Sequence, residues 1–263
     1  MNLIEKTDHL RQIIQNLPSS AVAFSGGVDS ALLASILLEV QGDRALALTV
    51  DSIFSSRDEM VDAKNFAAEI GIDHRMIPLD QMDDSVLSNP VDRCYHCKKK
   101  VFSTLLETAR ELGRTILLDG SNLDDLDDYR PGMRAVKELG VKSPFLEAGL
   151  TKADIRQFSQ ERGLSTWNKP SMACLASRIP YDDPITSESL QMVEAAEKFL
   201  TVQGLSRFRV RKHGNLARIE VSPEKRPIFF DLILMEKVSS ELKKIGFRFV
   251  ALDLQGYRTG SLN

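Results

Sequence analysis

Cysteine is scarce: the 263-residue chain has three, Cys94, Cys97 and Cys174. So small and odd a set excludes a disulfide framework as the source of stability and leaves metal, redox, nucleophilic or inert buried roles. Long apolar runs are missing too. No stretch is long enough to span a bilayer, and the first fifteen residues carry charges every few positions where a signal peptide would have an apolar core. Secretion and a membrane partner are therefore not expected, and a reducing cytoplasm is. A basic excess is also lacking. The 34 Lys and Arg face 37 Asp and Glu, a formal charge of −3, which argues against a protein that coats nucleic acid through a general basic surface. There are no internal repeats and no low-complexity tracts. What remains is an ordinary globular composition, 43% hydrophobic and 27% charged, in a chain long enough for one large domain or two modest ones.

Apolar runs alternate with amphipathic stretches over the first hundred and sixty residues. The spacing predicts a helix over 3–17, a strand at Ala21–Phe24, a turn at Ser25–Ser30 and a buried helix over 31–38. A second strand covers 45–50 and ends at Asp51 and Ser52. It is followed by a helix over 57–70 and a third strand over 75–79. A helix over 97–112, a strand over 115–118 running into Asp119–Asn122, and a capping box at Thr151–Asp154 that opens a helix ending near Gly163 complete the series. This rhythm is that of an α/β doubly wound parallel sheet. Ligands in such sheets sit at the carboxyl ends of the strands, where the strand order reverses. The polar turns at 25–30, 51–57 and 119–122 are therefore expected along one edge. After Asn168-Lys-Pro170 the alternation is lost. A helix over 187–203, strands over 207–212 and 216–221, a helix over 225–244 and a strand over 247–254 predict a smaller α+β domain. The expected division is 1–170 and 171–263. The acidic run Asp124–Asp128 is consecutive rather than spaced like a calcium loop and reads as a solvated turn.

Ser25-Gly-Gly-Val-Asp-Ser30, between a buried strand and a buried helix, is the strongest local signal. Its glycines allow close backbone approach and left-handed dihedrals, so several amides can aim at one anion, and the helix adds its positive end. Ser25 and Ser30 supply hydroxyls, and Asp29 can hold a metal ion or fix the loop. No lysine follows, so this is not the loop that cradles β- and γ-phosphates in P-loop enzymes. The hexapeptide resembles the PP-loop of the ATP pyrophosphatase superfamily. The resemblance implies that Ser25, Gly26, Gly27, Asp29 and Ser30 hold the pyrophosphate of ATP. It implies that magnesium bridges the phosphates and that a substrate oxygen attacks the α-phosphorus before a second nucleophile displaces AMP. Asp51, Ser52, Asp119 and Gly120 end strands where the rest of the nucleotide would sit.

Cys94-Tyr-His-Cys97 precedes a basic helix starting at Lys98-Lys-Lys100, and its spacing suits one metal, a cluster or a redox pair. Those alternatives and an inert role all stand on spacing alone. Taken together, Ser25–Ser30, Asp119–Asn122, Asp128-Tyr-Arg-Pro-Gly132, Trp167-Asn-Lys169, Ser177-Arg178, Pro180-Tyr181, Arg209-Val-Arg211, Ala217–Glu220 and Gly246-Phe-Arg248 resemble the LarE family of ATP-dependent sulfur transferases. These segments run from residue 25 almost to the end of the chain. The resemblance implies a pyridinium dicarboxylate mononucleotide as substrate, adenylated and then converted to a thiocarboxylate on the way to a nickel-pincer nucleotide. One branch of the family gives up the sulfur of a single cysteine, in the stretch that here holds Cys174. Another holds a 4Fe–4S cluster on three cysteines. The pattern here implies Cys94, Cys97 and Cys174 as cluster ligands, with an unidentified sulfur donor and a homo-oligomeric state.

In Arg207-Phe-Arg-Val-Arg-Lys212 a period of two places Arg207, Arg209 and Arg211 on one face, a bed for phosphate or a solvated face balanced by Glu220. With the family resemblance, Ser177, Arg178, Arg209 and Arg211 are the candidates for the substrate phosphate. Trp167, the one tryptophan, suits ring stacking or a core position, and Lys98–Lys100 reads as a solvated face. Three other readings compete. An amide ligase would need an ammonia source. A tRNA thiolase would usually carry further RNA-binding modules, and a nucleotide sensor would leave the cysteines and arginines unused.

Overall fold

A computed structural model describes residues 1–126, 131–170 and 174–258. The end of the acidic run (Asp127 and Asp128), the Asp128-Tyr-Arg130 part of the family pattern and Ser171–Ala173 lie outside the described residues. The chain forms two units. The first contains 1–82 and 92–172; the second contains 83–91 and 173–263. Among the described residues no helix is long and apolar enough to cross a membrane.

The first unit runs α1 (Leu3–Gln15), β1 (Ser20–Ala23), α2 (Val28–Gln41), β2 (Leu46–Ser52), α3 (Arg57–Ile70) and β3 (Asp73–Leu79). After α4 (Asp84–Leu87) of the second unit come α5 (Arg93–Glu111), β4 (Ile116–Leu118), α6 (Pro131–Glu138), α7 (Pro144–Glu147) and α8 (Lys152–Glu161). All strand pairings are parallel in the order β3-β2-β1-β4, so the fold is the α/β parallel sheet that the alternation predicts. Parallel strands covered on both faces need apolar residues at every position, and the two faces can be read off by parity. Ala21, Leu46, Leu48 and Leu117 face α5 with Phe102, Leu105 and Ala109. Their neighbours Val22, Ala47 and Leu118 face α2 with Leu32, Leu33 and Ile36, backed by Leu10 and Ile14 of α1 and Ile155 and Phe158 of α8. Helix α2 is buried nearly all round, which its Ala-Leu-Leu-Ala-Ser-Ile-Leu-Leu run requires.

Helix starts follow local chemistry. Ser56 with Glu59 caps α3 and Thr151 with Asp154 caps α8, each by a reciprocal capping box. Helix α5 departs from expectation: it begins at Arg93, so Cys94-Tyr-His-Cys97 lies inside its first turns rather than before it. No proline or glycine interrupts 91–112, and the Asp92–His96 contact at 3.1 Å favours the helical register.

The second unit holds α9 (Ser187–Val202), β5 (Phe208–His213), β6 (Leu216–Val221), α10 (Leu232–Ile245) and β7 (Phe249–Leu252). β5 and β6 form an antiparallel hairpin, and β7 joins β6 in parallel after α10. Its core gathers Ala196, Leu200, Val210, Ala217, Ile219, Val238, Leu242 and Phe247. Two expectations are corrected. The strand starts at Phe208, and Arg207 stands outside the ladder with a φ of 53°. The helix expected over 225–244 is a 3-10 segment (Pro223–Phe230) and then α10. Pro227 lies inside the first piece, and Asp231 ends it by capping the second, its carboxylate accepting from the Ile233 and Leu234 amides at 2.9 and 3.3 Å. Asp83–Val91 is stitched into this unit by Asn89, whose buried carboxamide donates to the Pro180 and Asp183 carbonyls at 2.6 and 3.0 Å.

Because Leu33 is fully buried between α1, α8 and the sheet, Leu33→Ala is expected to cost about 2–5 kcal/mol. A lowered urea midpoint followed by fluorescence of Trp167, in the same unit, checks this.

Candidate active site

β1 lies between β2 and β4; the chain leaves β1 towards β2 and leaves β4 towards Lys142, which bridges Leu118 in parallel, so the loops that leave these strands meet at the carboxyl edge. The Phe24 amide donates to the Leu48 carbonyl at 2.8 Å and its carbonyl accepts from Thr49 Oγ1 at 2.7 Å, fixing the exit from β1. Thr49 Oγ1 is in turn 2.8 Å from His74 Nε2, and burial of that ring lowers its pKa, favouring the neutral form. Ser25 then turns the chain into α2. Ser30 Oγ lies 3.2 Å from the Ser25 amide and 3.1 Å from Ser25 Oγ, closing the loop with hydroxyls. Gly26 has a φ of +69°, and a Cβ there would stand 2.9 Å from Ala63 Cα in α3. Both the dihedral and the space exclude any other residue. Gly27 is the N-cap of α2, whose first-turn amides make a ready anion site.

The loop after β4 closes on this one. A Cβ at Gly120 would meet Asp29 Cβ at 3.0 Å and the Ser30 amide nitrogen at 3.2 Å. Asn122 Nδ2 donates to Asp29 Oδ1 at 3.4 Å, and Lys152 Nζ from α8 contacts Asp29 Oδ2. Asp119 is buried, and its two oxygens accept from Ser121 and Ser143 hydroxyls at 2.5 Å each. Asp51 and Ser52 end β2 beyond its last pairing with β1. The Asp51 carboxylate takes Arg57 at 3.4 Å, and Ser52 Oγ accepts from the Phe54 amide at 3.3 Å. Ser25, Gly26, Gly27, Asp29, Ser30, Asp119 and Gly120 thus form one constellation. Lys152, Ser143 and Asn122 complete it; Asn122 stands in a recognised segment, whereas nothing in the local pattern marks Lys152 or Ser143.

The second unit assembles the other candidates around two carboxylates. Arg178, at the end of a 3-10 turn (Leu175–Arg178), makes a bidentate pair with Glu197 of α9 at 3.0 and 2.9 Å. It also donates to the Cys174 carbonyl at 3.0 Å and to Ser177 Oγ at 3.1 Å. Arg211 pairs with Glu220 at 3.0 Å and donates to the Ser177 carbonyl at 2.6 Å. The solvated-face reading of the strand therefore fails for Arg211, which is buried, although Glu220 does balance it. Arg209 instead donates to the Phe208 carbonyl at 2.8 Å and lies 5.1 Å over the Tyr257 ring. Burial lowers its pKa, with the charge of Arg178 working in the same direction and that of Glu197 against it. Cys174 is exposed at the N-cap of the turn that these arginines brace. Cys94 and Cys97 sit one turn apart on α5 in the first unit, exposed and half-buried. Among the described residues no three His, Cys, Asp or Glu side chains gather into a metal-binding group. Trp167 is exposed rather than a core residue.

The profile of the NAD synthase family matches residues 3–109, which contain the Ser25–Ser30 loop. The pyridinium-3,5-bisthiocarboxylic acid mononucleotide synthase of Lactiplantibacillus plantarum is 38% identical over 263 residues, covering 99% of this chain and 95% of its own. The chain belongs to the LarE family. An uncharacterised protein of Synechocystis sp. is 42% identical over 262 residues, 99% of this chain and 98% of its own. The tRNA-specific 2-thiouridylase of Rickettsia peacockii is 30% identical over 188 residues, 57% of this chain and 51% of its own, and so shares only part of the LarE chain.

Two outcomes follow from the geometry. Gly120→Ala forces a methyl against Asp29 and the Ser30 amide, overpacking of about 1–3 kcal/mol; ATP binding by calorimetry is expected to weaken about tenfold. In the second unit Glu197→Ala leaves Arg178, with a side chain 5% exposed, without its bidentate partner. Loss of about 3–5 kcal/mol is expected in a chemical unfolding experiment.

Proposed function

We propose that the protein is an ATP-dependent sulfur transferase acting on pyridinium-3,5-biscarboxylic acid mononucleotide, on the route to a nickel-pincer nucleotide. The observation that carries this reading is the likeness, along nearly the whole chain, to the Lactiplantibacillus plantarum synthase; the contact of the Ser25–Ser30 and Asp119–Asn122 loops supports its ATP step. Amides, hydroxyls and a helix N-terminus collected there favour the two outer phosphates of ATP, which leaves the α-phosphorus as the electrophile.

A substrate carboxylate oxygen forms the new bond to that phosphorus while the bond to the bridging oxygen breaks, and its electron pair departs with pyrophosphate. Asp29 and Asp119 offer the hard oxygen donors that suit magnesium, which would neutralise phosphate charge. Asp51 and Ser52 are assigned to the nucleoside side of ATP. The substrate's own phosphate is assigned to Arg209, with Ser177, Arg178 and Arg211 beside it. In the second step a sulfur nucleophile attacks the acyl carbon, the bond to AMP breaks, and a thiocarboxylate remains.

Cys94, Cys97 and Cys174 are assigned as ligands of a 4Fe–4S cluster. The support is a soft three-thiolate set, two members of which stand one helical turn apart. Such a cluster has one iron without a protein ligand and would supply sulfide renewably. The 1–170 part is assigned to adenylation and the 171–263 part to substrate binding and sulfur transfer. We place the enzyme in the cytoplasm as a homo-oligomer served by a separate sulfur donor; exposed Phe230, Leu232, Ile233 and Leu254 give it apolar surface for self-association.

Anaerobic protein incubated with ATP, magnesium and the mononucleotide is expected to yield AMP, pyrophosphate and a thiolated product, with the protein mass unchanged. The protein should release iron and acid-labile sulfide. Formation of ADP in place of AMP would remove the adenylation step. A protein lighter by the mass of hydrogen sulfide, with dehydroalanine at position 174, would replace the cluster route by donation from Cys174, whose exposed thiol the Arg178-braced turn presents.

A further inference from the structure

The Ser25–Ser30 loop contains no cation, yet two lysines distant in sequence reach it within the first unit. Lys152, the first residue of α8, contacts the Asp29 carboxylate. Lys169 donates to the Gly26 carbonyl at 3.1 Å and pairs with Asp62 of α3 at 2.8 Å. Their side chains are 28% and 18% exposed. Lysine side chains ordinarily extend into water, so two that lie largely covered, with their ammonium groups on one loop, call for a cause.

We propose that Lys152 and Lys169 are the cationic half of the pyrophosphate site, the first by direct contact with the leaving group and the second as a positioning residue for the loop. The proposal rests on the reading that this loop binds the outer phosphates of ATP. Amides and one helix end contribute only about half an elementary charge, whereas departing pyrophosphate carries several. Lys152 adds a whole one. Without nucleotide it neutralises Asp29. Asp29 would be a ligand for the magnesium that accompanies ATP, and Lys152 would then be free to meet the phosphate oxygens. The local charge then stays balanced both before and after binding.

Lys169 acts through the peptide plane. The Gly26 carbonyl and the Gly27 N–H belong to one planar trans peptide and point in opposite directions. An ammonium that holds the carbonyl on one side therefore holds the N–H towards the other. That N–H faces Ser25 Oγ at 3.4 Å, a long contact that a phosphate oxygen would improve on. The peptide joins two glycines, so the lysine adds to the Ser25 contact in fixing its rotation.

Calorimetry of the full-length protein with magnesium pyrophosphate, and separately with AMP, tests this without turnover. Lys152→Met and Lys169→Met are each expected to weaken pyrophosphate binding about 10- to 100-fold, the worth of a charged hydrogen bond. AMP affinity should stay unchanged, and Lys152→Arg should recover most of the loss. Asp62→Asn removes the other half of the Lys169 contact, an exposed pair of small worth, and should leave pyrophosphate affinity intact. Pyrophosphate binding by both methionine variants equal to that of the unaltered protein would overturn the proposal. So would a parallel loss of AMP affinity, or an Asp62→Asn defect as large as that of Lys169→Met, because a tether for the fold would give those results. If the unaltered protein binds AMP but not pyrophosphate, the reading of the loop itself falls.

Discussion

An anion can be gripped by backbone amides only if nothing stands between them and it, and the first unit is organised around that closeness. Two glycines meet the requirement from opposite sides: Gly26 lies against α3, and Gly120 lies against Asp29 and Ser30. The rest of the unit keeps those contacts in place. Parallel register carries β1 and β4 to the same edge, the Thr49–Phe24 bond fixes the exit from β1, and a helix buried all round leaves α2 no other seat. A mobile loop would lose ordering entropy on binding; a preformed one has already met that cost in folding.

In the second unit the same economy applies to charge. Arginines at 178, 209 and 211 would repel one another, and Glu197 takes Arg178 while Glu220 takes Arg211. Glu197 accepts from the Val210 amide at 3.0 Å, tying α9 to β5, and Arg178 holds the Cys174 carbonyl. The cysteine is thus presented by a turn whose shape depends on a buried ion pair. Arg209, which has the Tyr257 ring and the Phe208 carbonyl for neighbours, is the group with most to gain from an anion. The pairing takes Arg211 out of a strand that looks uniformly basic in sequence.

The Ser25–Ser30 loop, the parallel sheet and the capping box of α8 are all legible as local pattern. The strand boundaries follow runs of apolar residues, and Thr151–Asp154 announces its helix in four letters. The departures are equally physical. Pattern alone starts the helix at about Cys97, leaving out Cys94 that it in fact includes, because the charged run at Lys98–Lys100 looks like a beginning. Parity alone counts Arg207 into a strand, whereas its positive φ takes it out of the ladder. Asn89, buried and bonded to residues about ninety positions onward, gives no local sign of where it belongs.

Alternation of apolar and polar residues, together with a few turn and cap residues, determined by itself the strands and long helices of the first unit and the place of the Ser25–Ser30 turn. These are effects of neighbours within a few residues, and a sequence displays them directly. Which side chains complete the site was decided only by tertiary structure: Lys152 reaches Asp29 across 123 residues, Lys169 reaches Gly26 across 143, and Arg211 reaches the Ser177 carbonyl across 34. A long flexible side chain can serve any loop that folding brings within its length, so its role is set by packing in space and leaves no periodicity behind in the chain.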